Sequence, residues 1–376
     1  MLYMQNGGVD MGMLITALLV CACAMGLVLF RKNTIPIYRE GPIQQRKLSV
    51  IIPARNEESN LPFLLSSLQA QTYTDLEIIV VDDHSEDRTR EIAESYGIKV
   101  ITNPELPLGW TGKNWAVWNG YLQATGDLIA FLDADVRLAP HALRSLLTAR
   151  EQEGGVISVV PFHIAERFYE RLALIVNVLG LFAFTSPMER TNPNKGLYGS
   201  CILTTRTDYE QAKGHEGVKA EVLDDLNLGA RFMEAGVKVT NYIGRDMVSF
   251  RMYPGGIKSE IQGFSKGAVL STSKLNIGTS LLVAVWLIGL IAAEAAPFVI
   301  GTSYLLPFAI GYVLYTLQIY YFVRYTGRFG KWLPIVHILS TVFFLYIMLY
   351  SLYQVVFLRQ VAWKGRSIKV GGRGNP

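Results

Sequence analysis

The segment DLIAFLDADV (residues 127–136) joins a short apolar run to two acids, and it decides the predicted fold. Two other β-branched runs end at polar residues in the same way: LSVIIP (48–53) precedes ARNE (54–57), and EIIVVD (77–82) precedes DHS (83–85). Short apolar runs bounded by polar loops are typical of strands inside a sheet. Three strands that each end in polar residues predict one polar edge of a sheet.

Helical periodicity occupies the segments between these strands. Ser59–Gln69 carries leucines at helical spacing, Thr89–Tyr96 suits a second helix, and Lys99–Thr102 suits a further strand. This alternation predicts the α/β class with a parallel sheet. Ligands of such sheets lie beyond the carboxyl ends of the strands, which is where the polar residues are predicted.

The composition separates a soluble part from apolar parts. The chain has 376 residues, of which 18% are charged, against about 25% in an ordinary soluble domain. The mean hydropathy of +0.26 excludes a disordered chain. The net charge is only +4, and the basic residues lie beside apolar runs, which favours an anionic membrane face over nucleic acid. The three cysteines form no disulfide or zinc pattern.

An N-terminal membrane anchor is predicted within residues 1–30. Met11–Phe30 is an uncharged run of the length that spans a bilayer core. A cleaved signal peptide would need a basic start, and residues 1–10 contain no Lys or Arg. Basic residues follow from Arg31 onward, so the chain after the anchor is predicted to be cytosolic.

Three further candidate spans lie in the predicted C-terminal membrane part, 279–358, at about 279–300, 304–323 and 333–357. The protein is thus predicted to be a multi-pass protein of the cell membrane, with a cytosolic domain over 46–270. Four full spans would place the basic tail 359–376 outside, whereas its charge argues for inside. Either one candidate is re-entrant or the charge rule is broken, and the sequence does not decide.

Two features of the apolar segments indicate their surroundings. Glu294 lies in the first C-terminal candidate, where a carboxyl group should face protein or a polar cavity. The run Leu172–Phe184 is too short to span a bilayer comfortably. It is either a buried helix or a helix at the membrane surface, where a lipid substrate could enter.

Asp133 and Asp135 are the predicted metal ligands. Residues i and i+2 of an extended chain point to the same side, so both carboxylates are aimed at one point. Oxygen ligands suit Mg²⁺ or Mn²⁺, which could bridge the phosphates of a nucleotide and stabilise a departing diphosphate. Taken alone, the D-x-D pattern also occurs as ordinary surface charge.

Other polar groups have two interpretations each. Asp82 and Asp83 form a polar turn with a helix N-cap, accept hydrogen bonds from a nucleobase or ribose, or divide these two roles between them. The segment Gly109–Lys113 is interpreted as a glycine-punctuated loop whose Lys113 either approaches phosphate or is solvated. The segment Gln262–Lys266 is either an interfacial helix or a lid.

A general base could come from one acidic cluster. Glu221, Asp224 and Asp225 precede a helical run, where acids commonly interact with the helix dipole. The alternative role is to take a proton from an acceptor. Nearby, His215 is either a turn residue or an acceptor contact.

Together these motifs resemble membrane-bound family-2 glycosyltransferases with the GT-A fold, and the layout is similar to members that act in carotenoid biosynthesis. The resemblance rests on VIIPARNEE (50–58), VVDDHSEDRT (80–89), GWTGKNWA (109–116), FLDADV (131–136), DDLNL (224–228), FRMYPGGIKSEIQGFSKG (250–267) and WKGR (363–366). It implies a Rossmann-like nucleotide-diphospho-sugar transferase domain between N- and C-terminal transmembrane helices.

The motifs and the resemblance give a set of expected site residues. Nucleotide-sugar contacts are expected from Pro53, Arg55, Glu57, Asp82, Asp83, Lys113 and Asp133; metal contacts from Asp133 and Asp135; catalysis from Asp225 and Asp224; and acceptor contacts from Gly199, His215 and Gln262. The family's Glu-Asp pair is here Asp224-Asp225, so the choice among Glu221, Asp224 and Asp225 stays open. Its Q-x-x-R-W motif is degraded to Gln262…Lys266, which argues against processive polymer synthesis.

The implied activity is inverting transfer of a hexose from a UDP-sugar to a membrane-lipid acceptor. Glucose is the expected sugar, and the carboxylate of a diapocarotenoid acid is an expected acceptor. A divalent cation, Mg²⁺ or Mn²⁺, is the expected cofactor, and neither nucleic acid nor an obligate protein partner is expected. Rival acceptors are a hopanoid or sterol, a diacylglycerol, a ceramide and a polyprenyl phosphate. Rival classes are a membrane transporter with a nucleotide-sensing domain and a nucleotidyltransferase.

Overall fold

The structure is a computed structural model that describes residues 10–40, 44–221, 223–266, 268–358, 360–363 and 366–369. The helices are α1 (Met11–Leu29), α2 (Leu61–Gln69), α3 (Thr89–Ser95), α4 (Gly112–Gln123), α5 (Ala142–Glu153), α6 (Phe168–Arg171), α7 (Leu174–Thr185), α8 (Arg206–Gln211), α9 (Asp224–Glu234), α10 (Ile257–Ser265), α11 (Ala268–Ser271), α12 (Ile277–Ala293), α13 (Leu305–Thr326) and α14 (Ile338–Tyr353). The strands are β1 (Leu48–Ala54), β2 (Leu76–Asp82), β3 (Lys99–Thr102), β4 (Leu128–Leu132), β5 (Val136–Leu138), β6 (Val156–Val160), β7 (Phe162–Ile164), β8 (Cys201–Thr205), β9 (Val239–Ile243), β10 (Val248–Phe250), β11 (Gly327–Arg328), β12 (Gln360–Trp363) and β13 (Arg366–Lys369).

A seven-stranded sheet in the order β3-β2-β1-β4-β8-β6-β9 forms the centre of the fold. The four predicted strands lie within a residue or two of their expected limits, and β1 pairs in parallel with β2 and β4. The sheet is mixed rather than purely parallel, because β8 runs antiparallel to β4 and β6. This reversal brings the amino end of β8 to the edge where β1 and β4 end, and Asp133 N donates to Ser200 O at 3.0 Å.

Alternation along the strands builds a core on each face of the sheet. In β1, Val50 and Ile52 face one buried cluster with α2 and α5, while Ile51 faces the other with α4 and α9. Successive residues of a strand point to opposite faces, so a strand that is buried on both faces is apolar throughout. The apolar runs in the sequence are therefore the two-sided interior of this sheet.

The apolar helices pack against one another and form a further buried cluster. Helix α1 packs against α12 and α13, and the three share one buried cluster. Gly26 permits this approach, because a Cβ there would lie 2.5 Å from Trp286 Nε1. Gln318 joins the three helices: its amide nitrogen donates to Cys23 O, and its oxygen accepts from Trp286 Nε1, each at 2.7 Å.

The apolar helices differ from the predicted spans at α12 and at the segment around α7. Four helical segments are long and apolar enough to cross a membrane: Met11–Leu29, Phe168–Thr191, Leu305–Thr326 and Ile338–Leu358. The predicted candidate at 279–300 is shorter, because α12 ends at Ala293 and Pro297 lies in a separate 3-10 turn. Proline lacks the N–H and clashes with the preceding turn, so the helix cannot continue through it.

Glu294 faces protein, as predicted. Its side chain is buried, and Oε1 contacts His337 Nδ1 at 2.6 Å and accepts from Thr341 Oγ1 at 2.7 Å. The carboxyl group is thus surrounded by hydrogen-bonding groups rather than by lipid.

Helix α7, the core of the predicted apolar run, is a buried helix. It packs against β6 and β9 of the sheet on one side and against α12, α13 and α14 on the other. The run was predicted to be too short to span a bilayer, but flanking helical turns lengthen it to 24 residues. The basic tail 359–376 lies mostly outside the described residues. Its described parts are the strands β12 and β13.

Candidate active site

A cavity of about 540 Å³ lies at the carboxyl ends of β1, β2 and β4. Most of the residues predicted from sequence line it: Pro53, Arg55, Glu57, Asp83, Lys113, Asp133, Asp135, Gly199, Asp224 and Asp225. They come from separate parts of the chain, and the sheet edge brings them together. Asp82, His215, Gln262 and Glu221 lie outside this lining.

The two aspartates after β4 face the cavity beside a lysine. Asp133 Oδ1 lies 2.8 Å from Lys113 Nζ, and Asp135 lines the same cavity. Burial alone would lower the pKa of Lys113, but the carboxylates of Asp133, Asp224 and Asp225 outweigh burial and hold the pKa above its ordinary value. The lysine is therefore a fixed positive charge beside Asp133 and close to the acids of α9.

Lys113 lies on a helix, which corrects the predicted loop. The turn ends at Trp110, Thr111 caps the next helix by accepting from Asn114 N, and α4 begins at Gly112. A threonine at the N-cap satisfies one of the unpaired N–H groups of the first turn. The side chain of Lys113 thus projects from a rigid first turn.

The two acids at the end of β2 lie in different surroundings, and neither of them caps helix α3. Asp82 Oδ1 accepts from Ser85 N at 3.1 Å and shapes the turn. Asp83 lines the cavity, and its Oδ1 accepts from Asn103 Nδ2 at 2.9 Å. Arg55 Nη1 donates to Asp83 O at 2.8 Å, so it connects the ends of β1 and β2. This corner holds donors and acceptors of the kind a nucleoside requires.

Asp224 and Asp225 begin helix α9, and both line the cavity. Asp225 Oδ2 accepts from Gly199 N at 3.0 Å, and a Cβ at Gly199 would lie 2.9 Å from that oxygen. Burial, followed by repulsion from Asp224, raises the pKa of Asp225. Glu221 is exposed and accepts from Asn227 Nδ2 at 3.2 Å, so two of the three candidate bases lie in the cavity.

His215 and Gln262 do not line the main cavity. His215 is buried; its Nδ1 is hydrogen-bonded to Tyr209 OH at 2.8 Å, and burial lowers its pKa to about 4. It borders only a recess of about 10 Å³ behind Asp133. Gln262 is exposed on α10, whereas Phe264 and Lys266 line the main cavity.

One whole wall of the cavity was missed by the sequence analysis. It is apolar and consists of Val176, Leu179, Gly180 and Ala183 from α7, Val283 and Leu287 from α12, and Phe344, Ile347 and Met348 from α14. Tyr198 and Tyr253 line the cavity as well. The apolar run 172–184 and the aromatic FRMY segment were the signals available, but neither indicates which helix face is turned toward the site.

Glu260 is a buried carboxyl group next to this wall. It is fully buried on α10, and within the described part of the chain neither carboxylate oxygen has a hydrogen-bond partner. Burial, followed by repulsion from Glu170, raises its pKa from 4.5 to about 8. Between about pH 4.5 and pH 8, Glu260 therefore keeps its proton in the folded protein and loses it in the unfolded chain.

Glu260→Gln is expected to stabilise the protein at alkaline pH. Because the pKa is raised in the folded state, stability falls as pH rises from about 4.5 to about 8, by up to a few kcal/mol. The variant lacks this decline, so its melting temperature should match the wild type at pH 5 and exceed it at pH 8.5. The exposed Glu91→Gln serves as control, and equal shifts for both variants would contradict the prediction.

Comparison with known proteins identifies the class of enzyme. The family model of glycosyl transferase family 2 matches residues 49–212. The 4,4'-diaponeurosporenoate glycosyltransferase of Staphylococcus haemolyticus (strain JCSC1435) is 34% identical over 345 residues, which cover 88% of this chain and 91% of that protein. The chain therefore belongs to glycosyl transferase family 2, as the motifs predicted, and it is a glycosyltransferase.

Two further proteins illustrate the relationship. The 4,4'-diaponeurosporenoate glycosyltransferase of Staphylococcus aureus (strain USA300) is 31% identical over 374 residues, covering 95% of this chain and 97% of that protein. The mannosyltransferase PcManGT from Pyrobaculum calidifontis, solved in complex with GDP-Man and Mn²⁺, has a TM-score of 0.51 at 16% identity and covers 92% of this chain and 94% of its own. The predicted GT-A fold is thus confirmed.

Proposed function

We propose that the protein transfers glucose from UDP-glucose to the carboxylate of a diapocarotenoid acid at the membrane surface, with inversion at the sugar. The observation that carries the proposal is the cavity of about 540 Å³, which extends from the strand-end carboxylates to an apolar wall of α7, α12 and α14. A polar end suits a nucleotide sugar, and an apolar end suits a long hydrocarbon chain. The names of the Staphylococcus relatives support this acceptor.

The donor would occupy the polar end of the cavity. Asp83 and Glu57 offer acceptors to the uridine, and Arg55 fixes the position of Asp83 through the carbonyl contact at 2.8 Å. Lys113 would approach the diphosphate, where its ammonium offsets negative charge as the sugar leaves. The acceptor would then attack from the apolar side, opposite to the leaving diphosphate.

Asp133 and Asp135 fit a divalent cation. Both carboxylates line the cavity, and Mg²⁺ or Mn²⁺ is commonly held by one or two carboxylates together with substrate phosphates. Among the described residues no group of three or more His, Cys, Asp and Glu side chains is placed to hold a metal, so the diphosphate would complete the site. A bound cation would neutralise the departing diphosphate.

The chemistry of the acceptor decides whether a base is needed. A hydroxyl acceptor must lose a proton to a group such as Asp225, whereas a carboxylic acid is already ionised at neutral pH, from a reference pKa of about 4. With a carboxylate acceptor, Asp225 and Asp224 would position the sugar and the acceptor instead. Asp225 is well placed for this, since Gly199 N holds one of its oxygens.

Asp225→Asn is therefore expected to cost less than tenfold in kcat with a diapocarotenoid acid. The amide keeps the shape of the side chain, and no proton needs to be removed. The loss with Asp133→Ala measured in parallel should be much larger. Equally large losses would contradict a carboxylate acceptor and favour a hydroxyl group on another lipid.

The membrane arrangement is part of the proposal. We propose an anchor within residues 1–30, a cytosolic catalytic domain at 46–270 and membrane helices within 279–358. The basic residues after α1 support a cytosolic catalytic domain. Cysteine labelling of intact and of permeabilised cells at Arg88→Cys, on the exposed side of the sheet domain, tests this arrangement: labelling without permeabilisation would contradict it.

The activity is tested by UDP release from purified protein in detergent. The reaction contains UDP-glucose, Mg²⁺ or Mn²⁺, and one acceptor: a diapocarotenoid acid, its methyl ester, diacylglycerol, ceramide, a hopanoid or a polyprenyl phosphate. We expect release with the free acid, and with its methyl ester no release above the acceptor-free background, because esterification removes the nucleophile. Release with another lipid alone would replace the proposed acceptor, and its product would identify the substrate.

A further inference from the structure

A second cavity, of about 340 Å³, lies along β9 at the outer edge of the seven-stranded sheet. We call it the edge cavity. It is lined by Arg31, Asn33, Glu153, Phe184, Thr185, Ser186, Arg190, Lys195 and residues 233 and 236–241. It contains none of the acids of the active site, so the proposed transfer reaction does not account for it.

The edge cavity is strongly basic. Four of its side chains are cationic, those of Arg31, Arg190, Lys195 and Lys238, and Glu153 is its one carboxylate. Within the described residues, the one ion pair in this lining joins Lys238 to Glu153. The hydrogen bond from Lys238 and the positive charges of Lys238, Arg190 and Arg31 outweigh burial and lower the pKa of Glu153.

Lys195 is the buried member of this group. Only 9% of the residue is exposed, and Nζ donates to Val239 O at 2.8 Å. Burial lowers its pKa to about 8; Glu189 opposes this, but Arg190, Arg31 and Lys238 add to it. The attraction of Glu189 does not offset burial and these three cations, so a bound anion would favour the charged form of Lys195.

The position of the edge cavity connects an apolar helix with the active site. Arg31 follows the last residue of α1, Leu29, by two positions, so the cavity lies where this candidate span meets the sheet domain. Phe184 and Lys195 line both the edge cavity and the active-site cavity. An anion bound here would thus lie beside the membrane face and one side chain away from the acceptor wall.

We propose that the edge cavity binds a phosphate group, held by Arg31, Arg190 and Lys195. Arginine forks and a lysine ammonium are the side chains that hold phosphate by charge-assisted hydrogen bonds. The group is either the headgroup phosphate of an anionic membrane lipid or free phosphate. The end of α1 favours the lipid, because a headgroup at this depth keeps its acyl chains beside the apolar helices.

Binding is tested by thermal unfolding of the purified full chain with three probes: dioctanoyl-phosphatidylglycerol, inorganic phosphate and phosphate-free dioctanoylglycerol. The variant Arg31→Gln/Arg190→Gln removes two cations from the cavity, and Lys238→Gln is a milder second variant. Lys32→Gln is the matched control, because it removes a neighbouring exposed charge that does not line the cavity. None of these residues belongs to the proposed transfer machinery.

We expect dioctanoyl-phosphatidylglycerol to stabilise the wild type and Lys32→Gln equally, and to bind the double variant on the order of tenfold more weakly, as loss of a charge-assisted contact implies. Stabilisation by inorganic phosphate that the double variant loses would identify free phosphate as the ligand. Equal binding to the double variant and the control, or equal stabilisation by dioctanoylglycerol, would overturn the proposal. These outcomes do not depend on transfer activity, so they remain interpretable if the proposed acceptor is wrong.

Discussion

Asp133→Ala and Asp135→Ala should each reduce glucose transfer on the order of 10³-fold or more. Both carboxylates line the cavity at the end of β4, and the proposed mechanism needs them to hold a cation against the diphosphate. Loss of one preorganised electrostatic contact typically costs about 10²–10³-fold, and loss of a metal ligand also weakens binding of the cation. The measurement is UDP release under saturating UDP-glucose, with titration of Mn²⁺.

Asp127→Ala is the matched control for these variants. Asp127 is an exposed aspartate directly before β4, at the end of the strand opposite to Asp133, so its removal deletes an equal charge without reaching the cavity. Its transfer rate should stay within about twofold of the wild type, as expected for a surface change. Melting temperatures of all three variants separate loss of catalysis from loss of folding. Wild-type turnover in Asp133→Ala or Asp135→Ala would refute the proposed site.

Gly180→Phe should reduce transfer to a diapocarotenoid acid by more than 100-fold while leaving donor hydrolysis unchanged. Gly180 lies on α7 in the apolar wall, and an added Cβ would meet no heavy atom within 4 Å. A phenyl ring there would project into the space where the hydrocarbon chain is proposed to lie. The polar end of the cavity is untouched, so slow release of UDP without acceptor reports an intact donor site.

Gly180→Ala provides the graded control. A methyl group is too small to fill the cavity, so transfer should remain within a few-fold of the wild type. Gly180→Ala favours the helix by about 0.5–1 kcal/mol, and Gly180→Phe favours it by less, because Phe is a weaker helix former than Ala. Folding is therefore expected to be retained. An acceptor that binds elsewhere would be revealed by normal transfer in Gly180→Phe.

The sequence sufficed to predict the strand ends, for a clear physical reason. A strand that is buried on both faces must be apolar throughout, so the first polar residues after it mark its end, as Asp133 does after Leu132. Parallel strands then bring such ends to one edge, and Arg55 and Asp83 were expected beside Asp133 on that basis. The structure places these three side chains along one cavity.

The remaining features depend on tertiary packing that local pattern does not encode. The direction of β8 depends on its pairing partners, and only that direction brings Gly199 to Asp225. Gln262 and Lys266 are both close to the end of α10, but only Lys266 is on the side that lines the cavity, and the sequence does not indicate which side that is. The apolar run of α7 has no polar face that would indicate its orientation. That it forms a wall of the cavity is therefore visible only once the neighbouring helices are in place.

The hydrogen bond from Gln318 to Cys23 O has a consequence for how the protein is made. These two residues are 295 positions apart, and the contact is buried. At about 5–20 residues per second, a ribosome needs roughly 15–60 s to synthesise that length. The first helix therefore emerges long before Gln318 exists, and until then the Cys23 carbonyl has only the hydrogen bond within its own helix. Maturation of the enzyme is thus completed only after nearly the whole chain has been translated.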